Sequence, residues 1–407
     1  MNNSQLGFIL LIVVVCGAIG VGLGVGLSSR VPVPTMLAET STFTPTIPCN
    51  SSYALRLDNT TTFYPGDYAN YYVSGDAFIY YTTNTTSNLF LISKNRASGN
   101  ISWSQQVCTF NNRYVQSIAI DQTNGDIYFA FMCSTPTGAF VNKYNTNVVL
   151  QWSSNVTSIN GTFIQYEAPI QLDKMNSQVY IAFSSSVGSK AGALLSTNGT
   201  ISWTTSTTVT SGEVGGMTFN AMTHRLYLVD SSQSTNISLY KYDSTNGNFI
   251  TSANVPGIQW GEAPVCDSDG NIYVSGTFPT SPSVMLLVKY DASLTRLWSV
   301  TFGNSSAAVE YDSNSFNTRN LLYDTIGTNI IAAGSVRTAP NGADERSWIA
   351  TLNSTNGTQL TYYENMVPGS GWVSLVPFYE SRTAFYTFVK SASGDTTYTY
   401  SLNTYCY

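Results

Sequence analysis

The sequence of 407 residues has few charged side chains and only one histidine, His224. Charged residues make up 10% of the chain, against about 25% in an average soluble domain. The net charge of −6 lacks the basic excess that nucleic-acid binding needs, so we expect no nucleic-acid partner. A single histidine excludes multi-histidine metal sites and most histidine-dependent catalysis. We therefore expect a protein that is not an enzyme and holds no metal or cofactor.

Known catalytic motifs are also absent from the sequence. It has no Gly-x-Ser-x-Gly element, no phosphate-binding glycine loop and no Cys-x-x-Cys pair. Residues 267–271, Asp-Ser-Asp-Gly-Asn, resemble part of a calcium loop, but the distal glutamate of such loops is missing. We interpret them as a capped hairpin turn.

The first 27 residues are predicted to form an apolar helix, because residues 7–27 carry no charged side chain. A helix of that length spans about 30 Å, the thickness of a bilayer core. It can be a cleaved signal peptide, an uncleaved membrane anchor or a helix that packs against copies of itself. Two overlapping Gly-x-x-x-Gly pairs favour self-association, because they let helix backbones approach closely. They consist of Gly20, Gly22, Gly24 and Gly26.

Gly7 and Phe8, followed by Ile-Leu-Leu-Ile-Val-Val-Val, resemble the cleavage junction and core helix of type IV pilins. Ile12 stands where that family has glutamate. The resemblance implies a helix that lies in the core of a filament.

Residues 28–49 form a linker rich in proline, serine and threonine. Its prolines favour extended backbone over helix, which predicts a semi-stiff spacer. The alternative is that the linker docks on a neighbouring subunit as an added β-strand. We expect a homo-oligomer or filament that forms through the apolar segment and this linker.

From Asn50 onwards the sequence repeats with a period of about 50 residues. Equivalent positions recur at spacings of 47 to 51 residues and are occupied by Trp103, Trp152, Trp203, Ile250 and Trp298. A lysine precedes four of them by nine residues, namely Lys94, Lys143, Lys241 and Lys289. Turns of sequence Ser-Thr-Asn-Gly occur at residues 196–199, 244–247 and 354–357. Short segments rich in Val, Ile, Tyr, Phe and Thr flank such turns, which is typical of β-hairpins.

The repeat predicts an all-β fold, a seven-bladed β-propeller of four-stranded blades over residues 50–407. Blade six is expected to carry an insertion around Arg337–Arg346. Blade seven, Gly371 to Tyr407, has room for only three strands. We therefore expect Ser52–Asp58 to supply its fourth strand, with blade one beginning near Tyr68, because this closure removes open sheet edges.

Residues 262–303 carry the most regular repeat. Asp-Ser-Asp-Gly-Asn-Ile-Tyr-Val-Ser-Gly from Asp267, Leu-Val-Lys-Tyr-Asp from Leu287 and Leu-Trp-Ser-Val-Thr-Phe-Gly from Leu297 resemble the repeat of bacterial SBBP-type propellers. They are also similar to NHL and quinoprotein-like repeats. The resemblance implies a propeller, and it leaves the function open because such propellers serve binding, scaffolding and catalysis.

Five cysteines lie outside the apolar segment. Cys49 precedes the proposed closing strand and Cys406 ends blade seven, so a disulfide between them would fasten the ring. Cys108 and Cys133, in adjacent blades, are the second predicted pair. Cys266 is expected to be a buried free thiol.

Eleven Asn-x-Ser/Thr sequons are candidate glycosylation sites, which predicts N-linked glycans and an exported protein. They begin at Asn50, Asn59, Asn84, Asn100, Asn155, Asn160, Asn198, Asn236, Asn304, Asn353 and Asn356.

Glu167, Glu213 and Glu262 each lie five to seven residues before a repeat marker, at the predicted entry to an inner strand. In a propeller these entries surround one mouth of the central channel. An acidic arc there would bind a cation or an amine-bearing ligand, whereas the alternative is that these side chains cap loop amides.

Three functions remain open from the sequence. The first is a non-enzymatic extracellular surface glycoprotein with a structural or adhesive role, anchored in the membrane or forming the repeating subunit of a surface filament. The second is the ectodomain of a membrane-anchored receptor that binds a sugar, peptide or cation. The third is a quinoprotein-like or glycosidase-like enzyme, which the scattered 23 carboxylates disfavour.

Overall fold

Short strands rich in β-branched and aromatic residues follow one another along the chain, as the repeat predicts. In the computed structural model, the strands lie between Arg56 and Cys406. The structure describes residues 56–63, 71–74, 77–83, 88–95, 101–109, 116–121, 123–134, 137–157, 169–184, 188–207, 212–232, 236–258, 260–278, 284–302, 310–312, 321–324, 328–337, 345–364, 372–377, 384–393 and 397–406.

Thirty strands are present within these ranges. The first strand and blades one to three comprise β1 (Arg56–Phe63), β2 (Tyr71–Ser74), β3 (Ala77–Thr83), β4 (Asn88–Asn95), β5 (Ile101–Thr109), β6 (Gln116–Ile120), β7 (Ile127–Ser134), β8 (Thr137–Tyr144), β9 (Leu150–Asn155), β10 (Ile170–Asp173), β11 (Gln178–Phe183), β12 (Lys190–Leu195) and β13 (Ile201–Ser206). Blades four and five comprise β14 (Gly212–Asn220), β15 (Arg225–Ser232), β16 (Asn236–Asp243), β17 (Phe249–Pro256), β18 (Trp260–Gly261), β19 (Val265–Cys266), β20 (Ile272–Phe278), β21 (Val284–Tyr290) and β22 (Arg296–Phe302). Blades six and seven comprise β23 (Glu310–Asp312), β24 (Leu321–Asp324), β25 (Asn329–Arg337), β26 (Glu345–Asn353), β27 (Gln359–Glu364), β28 (Trp372–Pro377), β29 (Ala384–Ser393) and β30 (Thr397–Cys406).

The strands form seven antiparallel sheets, and in six of them the strands follow chain order from the inside outwards. The innermost strands contact one another in a closed circle that runs through β2, β6, β10, β14, β19, β24 and β28 and returns to β2. This arrangement is a seven-bladed β-propeller, so the predicted fold class is confirmed.

The N-terminal strand closes the ring. β1 pairs with β30 as the outermost strand of blade seven, with Arg56 opposite Cys406 and Phe63 opposite Tyr400. The N-terminal segment was therefore correctly predicted to supply the outer strand of blade seven. The described strand runs from Arg56 to Phe63, beyond the predicted end at Asp58, and residues 52–55 lie outside the described residues. The first described strand of blade one is β2, which begins at Tyr71, close to the predicted start near Tyr68.

Two blades depart from the four-stranded plan. In blade five, β18 and β19 both pair with β20, and in blade six, β23 and β24 both pair with β25. The inner strand is thus interrupted in both blade five and blade six. In blade six, β25 and β26 pair as far as Arg337 and Glu345, so the strands extend into the region where the sequence predicted an insertion.

The core lies between neighbouring blades, because each sheet is buried on both faces. Along β15, Leu226 and Leu228 pack towards blade three, whereas Tyr227 and Val229 pack towards blade five. Alternation of side chains along a strand sends successive residues to opposite faces, so a strand that is buried on both faces, such as β11 or β21, needs apolar residues at successive positions. This explains why the inner strands read as continuous apolar runs.

Residues Ile47–Tyr407 form one compact unit. The predicted apolar helix of residues 1–27, its glycine pairs, the pilin-like junction and the linker of residues 28–49 lie outside the described residues. Within the described part of the chain, no helix is long and apolar enough to cross a membrane.

Candidate functional site

Two of the three glutamates of the predicted acidic arc lie on described backbone. Glu213 lies on β14 opposite Ser231 of β15, and Glu262 lies between β18 and β19, where its N–H donates to the Ser275 carbonyl at 3.0 Å. The Glu262 side chain is 8% exposed, which leaves little of it for a ligand at the channel mouth. The side chain of Glu213 and the whole of Glu167 lie outside the described residues.

The inner strands of blades four and five approach each other closely beside Glu262. A Cβ atom at Gly215 would collide with the carbonyl of Gly261, and one at Gly216 would collide with the backbone of Ala263. Glycine is therefore required at both positions, since any side chain would push the two inner strands apart. This contact fixes Glu262 within the inter-blade packing.

The predicted turn at Asp267 is a capped hairpin turn. Asp267 Oδ1 accepts hydrogen bonds from the backbone N–H groups of Asp269 and Asn271 at 3.0 and 2.8 Å. Its Oδ2 accepts from the Asn271 amide at 2.7 Å and from the Tyr273 hydroxyl at 3.0 Å. Both carboxylate oxygens are therefore used by the turn itself. Among the described residues, no group of three or more His, Cys, Asp or Glu side chains could hold a metal ion.

The repeated Lys and Trp markers form a joint between blades five and six. The carbonyl of Ser354 accepts hydrogen bonds from Lys289 Nζ at 2.9 Å and Trp298 Nε1 at 3.1 Å. The Tyr273 hydroxyl oxygen lies 3.4 Å from the same carbonyl, while its proton is donated to Asp267. Lys289 Nζ also lies 5.1 Å from the centre of the Tyr273 ring. Burial lowers the pKa of Lys289 and raises that of Tyr273, since both charged forms are disfavoured away from water.

The same joint recurs between other blades. Trp152 Nε1 donates to the Ser196 carbonyl and Trp203 Nε1 donates to the Ser244 carbonyl, both at 3.0 Å. Each of these tryptophan rings covers the glycine of the facing Ser-Thr-Asn-Gly turn. Lys143 adds a hydrogen bond of 3.3 Å to Ser196 and an ion pair of 2.7 Å with Asp126. The repeat is therefore a set of inter-blade contacts.

Two joints use a different solution. The blade-five turn has Leu294 at a φ of 65°, and the blade-two turn has Val148 at a φ of 59°. Leu294 packs with the core of blades four and five, and Val148 packs against the cluster that contains Trp103. In these two joints, a side chain of the turn packs against the preceding blade. In the other joints, a tryptophan of the preceding blade covers the glycine of the turn. Lys241 still donates to the Ala292 carbonyl across the joint.

A buried carboxyl group lies between blades three and four. Asp230 is 1% exposed, and its Oδ2 accepts a hydrogen bond of 2.9 Å from the Thr207 hydroxyl. Burial raises the pKa of Asp230 to about 6, although Thr207 and the nearby Ser189 hydroxyl favour the charged form. Among the described residues, neither Asp230 Oδ1 nor Ser189 Oγ has a hydrogen-bond partner of normal geometry. Sequence reasoning missed this group, and its signal is an acid in the apolar run of β15.

The cysteines divide as follows. Cys108 and Cys133 form a disulfide that joins blades one and two, with a sequence separation of 25. Cys266 is free, and burial raises the pKa of its thiol to about 11, which makes it a poor nucleophile. Cys49 lies outside the described residues, and Cys406 is described only as a strand position, so the predicted bond between them stays a prediction.

The described sequons differ in exposure. Asn155, Asn198, Asn236 and Asn356 are exposed, and Asn353 is half-buried. Asn59 lies in β1, and its side chain is not described. The remaining sequons lie outside the described residues, namely Asn50, Asn84, Asn100, Asn160 and Asn304.

Comparison with known proteins supports the fold alone. No protein family and no curated protein matches the sequence. A chain of the mitotic checkpoint complex is similar over 94% of this chain and 99% of its own length, with a TM-score of 0.58 and 10% identity. The quinohemoprotein alcohol dehydrogenases of Pseudomonas putida HK5 and Comamonas testosteroni each match 81% of this chain at 10% identity, with TM-scores of 0.46. This chain covers 65% of the length of either dehydrogenase.

Proposed function

We propose that this protein is a non-enzymatic extracellular surface glycoprotein with a structural or adhesive role, and that it forms the repeating subunit of a surface filament. The disulfide between Cys108 and Cys133 carries the extracellular part of the proposal, because such bonds persist in oxidising compartments. Exposed sequons on the propeller support it, since N-glycans are attached to exported proteins.

The inter-blade joints support the structural role. In two repeats of the described chain, both the lysine and the tryptophan hold the next blade, at Ser196 and at Ser354. Two side-chain donors on one carbonyl make a polar contact that is satisfied within the protein. Such contacts make the propeller rigid, which is expected of a subunit that bears mechanical load. We also propose that the repeat of residues 262–303 is related to the SBBP-type repeats that it resembles.

The proposal is tested on material from the native source. We expect the protein in the surface fraction, with Cys108 and Cys133 oxidised and several sequons glycosylated, as read by mass spectrometry. Negative-stain microscopy should show filaments that incorporate it. Recovery in the cytoplasm with both thiols reduced would contradict the extracellular role, and single particles at all concentrations would contradict the filament.

The receptor function remains a second proposal with less support, because it depends on an acidic arc in which Glu262 is buried. Calorimetry with calcium and a glycan array test it. Binding that is lost in Glu213→Gln but kept in Asp269→Asn, an exposed turn variant, would favour the receptor.

A further inference from the structure

We propose that the Asn-Gly-Thr turns of blades three and six are the glycosylation sites of the described propeller, at Asn198 and Asn356, and that the overlapping sequon at Asn353 is unmodified. The inference rests on the proposed export of the protein as a glycoprotein. It selects among the sequons by the geometry of each tripeptide.

The two turns share one conformation. Asn198 Oδ1 accepts the N–H of Thr200, and Asn356 Oδ1 accepts the N–H of Thr358, both at 3.0 Å. The glycines between them have φ angles of 72° and 74°. Each bond fixes the asparagine through its oxygen and leaves Nδ2, the atom that is glycosylated, available. The asparagine and the threonine are exposed in both turns, so an enzyme can reach the acceptor amide and the sequon hydroxyl together.

The other exposed sequons lie in paired or packed backbone. Their hydroxyl residues, Thr157 and Ser238, are half-buried, whereas Thr200 and Thr358 are exposed. The hydroxyl of Thr157 accepts the N–H of Ala139 at 3.2 Å, so the sequon at Asn155 has its hydroxyl engaged. The sequon at Asn236 lies on β16, which pairs with strands on both sides.

Asn353 is held at the base of the turn whose tip carries Asn356. Its backbone N–H donates to the Thr358 carbonyl at 2.9 Å, and its Oδ1 accepts from the N–H of Thr355 at 2.8 Å. Asn353 itself is half-buried, whereas Asn356 is exposed, and the carbonyl of Ser354, the middle residue of its sequon, accepts the hydrogen bond from Trp298 Nε1. A glycan on Asn353 would have to displace this joint.

The modification is a transfer from a lipid-linked glycosyl phosphate. A bond forms between Nδ2 and the anomeric carbon of the sugar, while the bond from that carbon to the phosphate oxygen breaks. The phosphate leaves with the electron pair, and the amide loses one proton. Both turns connect the third and fourth strands of their blades, so both glycans would lie on the face where Arg56, paired with Cys406, begins the closing strand.

The sister turn of blade four provides a matched gain-of-site control. Asn246 has the same hydrogen bond, from the N–H of Asn248 at 2.9 Å, and Gly247 has a φ of 74°. Only the threonine is missing, so Asn248→Thr should create a third acceptor at Asn246. The test is peptide mass spectrometry of the full chain, purified from its native source and, for variants, from a host that glycosylates Asn-x-Thr.

We expect glycans on Asn198 and Asn356, none on Asn353, loss of one glycan in each of Asn198→Gln and Asn356→Gln, and gain of one in Asn248→Thr. Glycans at other sequons with Asn198 and Asn356 bare would overturn the inference and leave the proposed function standing. The same holds for occupied Asn353 with bare Asn356, or for Asn248→Thr without a new glycan while Asn198 is occupied. A chain without any glycan would overturn both proposals.

Discussion

Replacing Asp230 by asparagine should stabilise the protein at neutral pH. The carboxyl group is 1% exposed and is bonded to the Thr207 hydroxyl through Oδ2. Burial is the main cause of its raised pKa, and among the described residues no cation is paired with it, so its ionised form is costly. Asparagine keeps an oxygen acceptor for Thr207 and carries no charge.

The magnitude follows from the pKa. Burial raises the pKa of Asp230 from 3.8 to about 6, and each pH unit of difference corresponds to about 1.4 kcal/mol. A raised pKa in an acid means that the folded state binds the proton more tightly, so stability is highest at low pH. It falls as pH rises from about 4 through 6, by about 3 kcal/mol in total. For a folded unit of this size that is about 4 °C in Tm.

Differential scanning calorimetry of the wild type and Asp230→Asn at pH 4 and pH 8 measures the effect. We expect Asp230→Asn to unfold about 4 °C higher at pH 8 and at nearly the wild-type temperature at pH 4. Asp269→Asn, which removes an exposed carboxylate, controls for the change in net charge. The reasoning is refuted if Asp230→Asn has the same Tm difference at both pH values, or if it lowers the Tm at pH 8.

Three further predictions concern the joints and the disulfide. Trp298→Phe keeps the ring and removes the Nε1 donor, so chemical denaturation should show a loss of about 1 kcal/mol; a loss near zero would mean that the hydrogen bond contributes nothing. Gly357→Ala should destabilise the protein more than Gly270→Ala. Both glycines have a positive φ, but the new Cβ at Gly357 would lie 2.9 Å from Trp298 Cε3, whereas at Gly270 the nearest atom is at 3.5 Å; equal losses would show that backbone strain alone matters. Replacing both Cys108 and Cys133 by serine should lower the free energy of unfolding by about 3 kcal/mol, because the disulfide closes a loop across a sequence separation of 25 in the unfolded chain. An unchanged free energy of unfolding under non-reducing conditions would contradict this.

The joints explain a regularity that the sequence shows without a reason. A lysine and a tryptophan recur nine residues apart because they lie opposite each other on adjacent strands, as Lys289 does to Trp298 in β21 and β22. From there both reach the carbonyl of the next blade. Ile250 occupies the tryptophan position of its repeat. The turn of the next blade has Leu294, which packs in the core of blades four and five.

Much of the site could not be predicted from the sequence. The Ser354 carbonyl lies 3.4 Å from the hydroxyl of Tyr273, which is 81 residues away in the chain. The neighbours of Asp230 come from another blade, and the burial of Glu262 depends on a backbone contact between two inner strands. No local pattern encodes these contacts, because each is made by residues from separate repeats.

Three features could be predicted from the sequence alone: the all-β class, the number of blades and the closure of the ring by the N-terminal strand. Period, turn chemistry and the length of blade seven are local or additive properties, and they can be counted along the chain. The tertiary structure was needed to show that the repeated lysine and tryptophan residues form joints between blades. It also shows that the inner strands of blades five and six are interrupted and that Asp230 is buried with no counter-ion among the described residues. The low proportion of charged residues has a structural reason. Strands inside the blades, such as β11 and β21, are buried on both faces, and a charge placed there has to be paired or destabilises the fold.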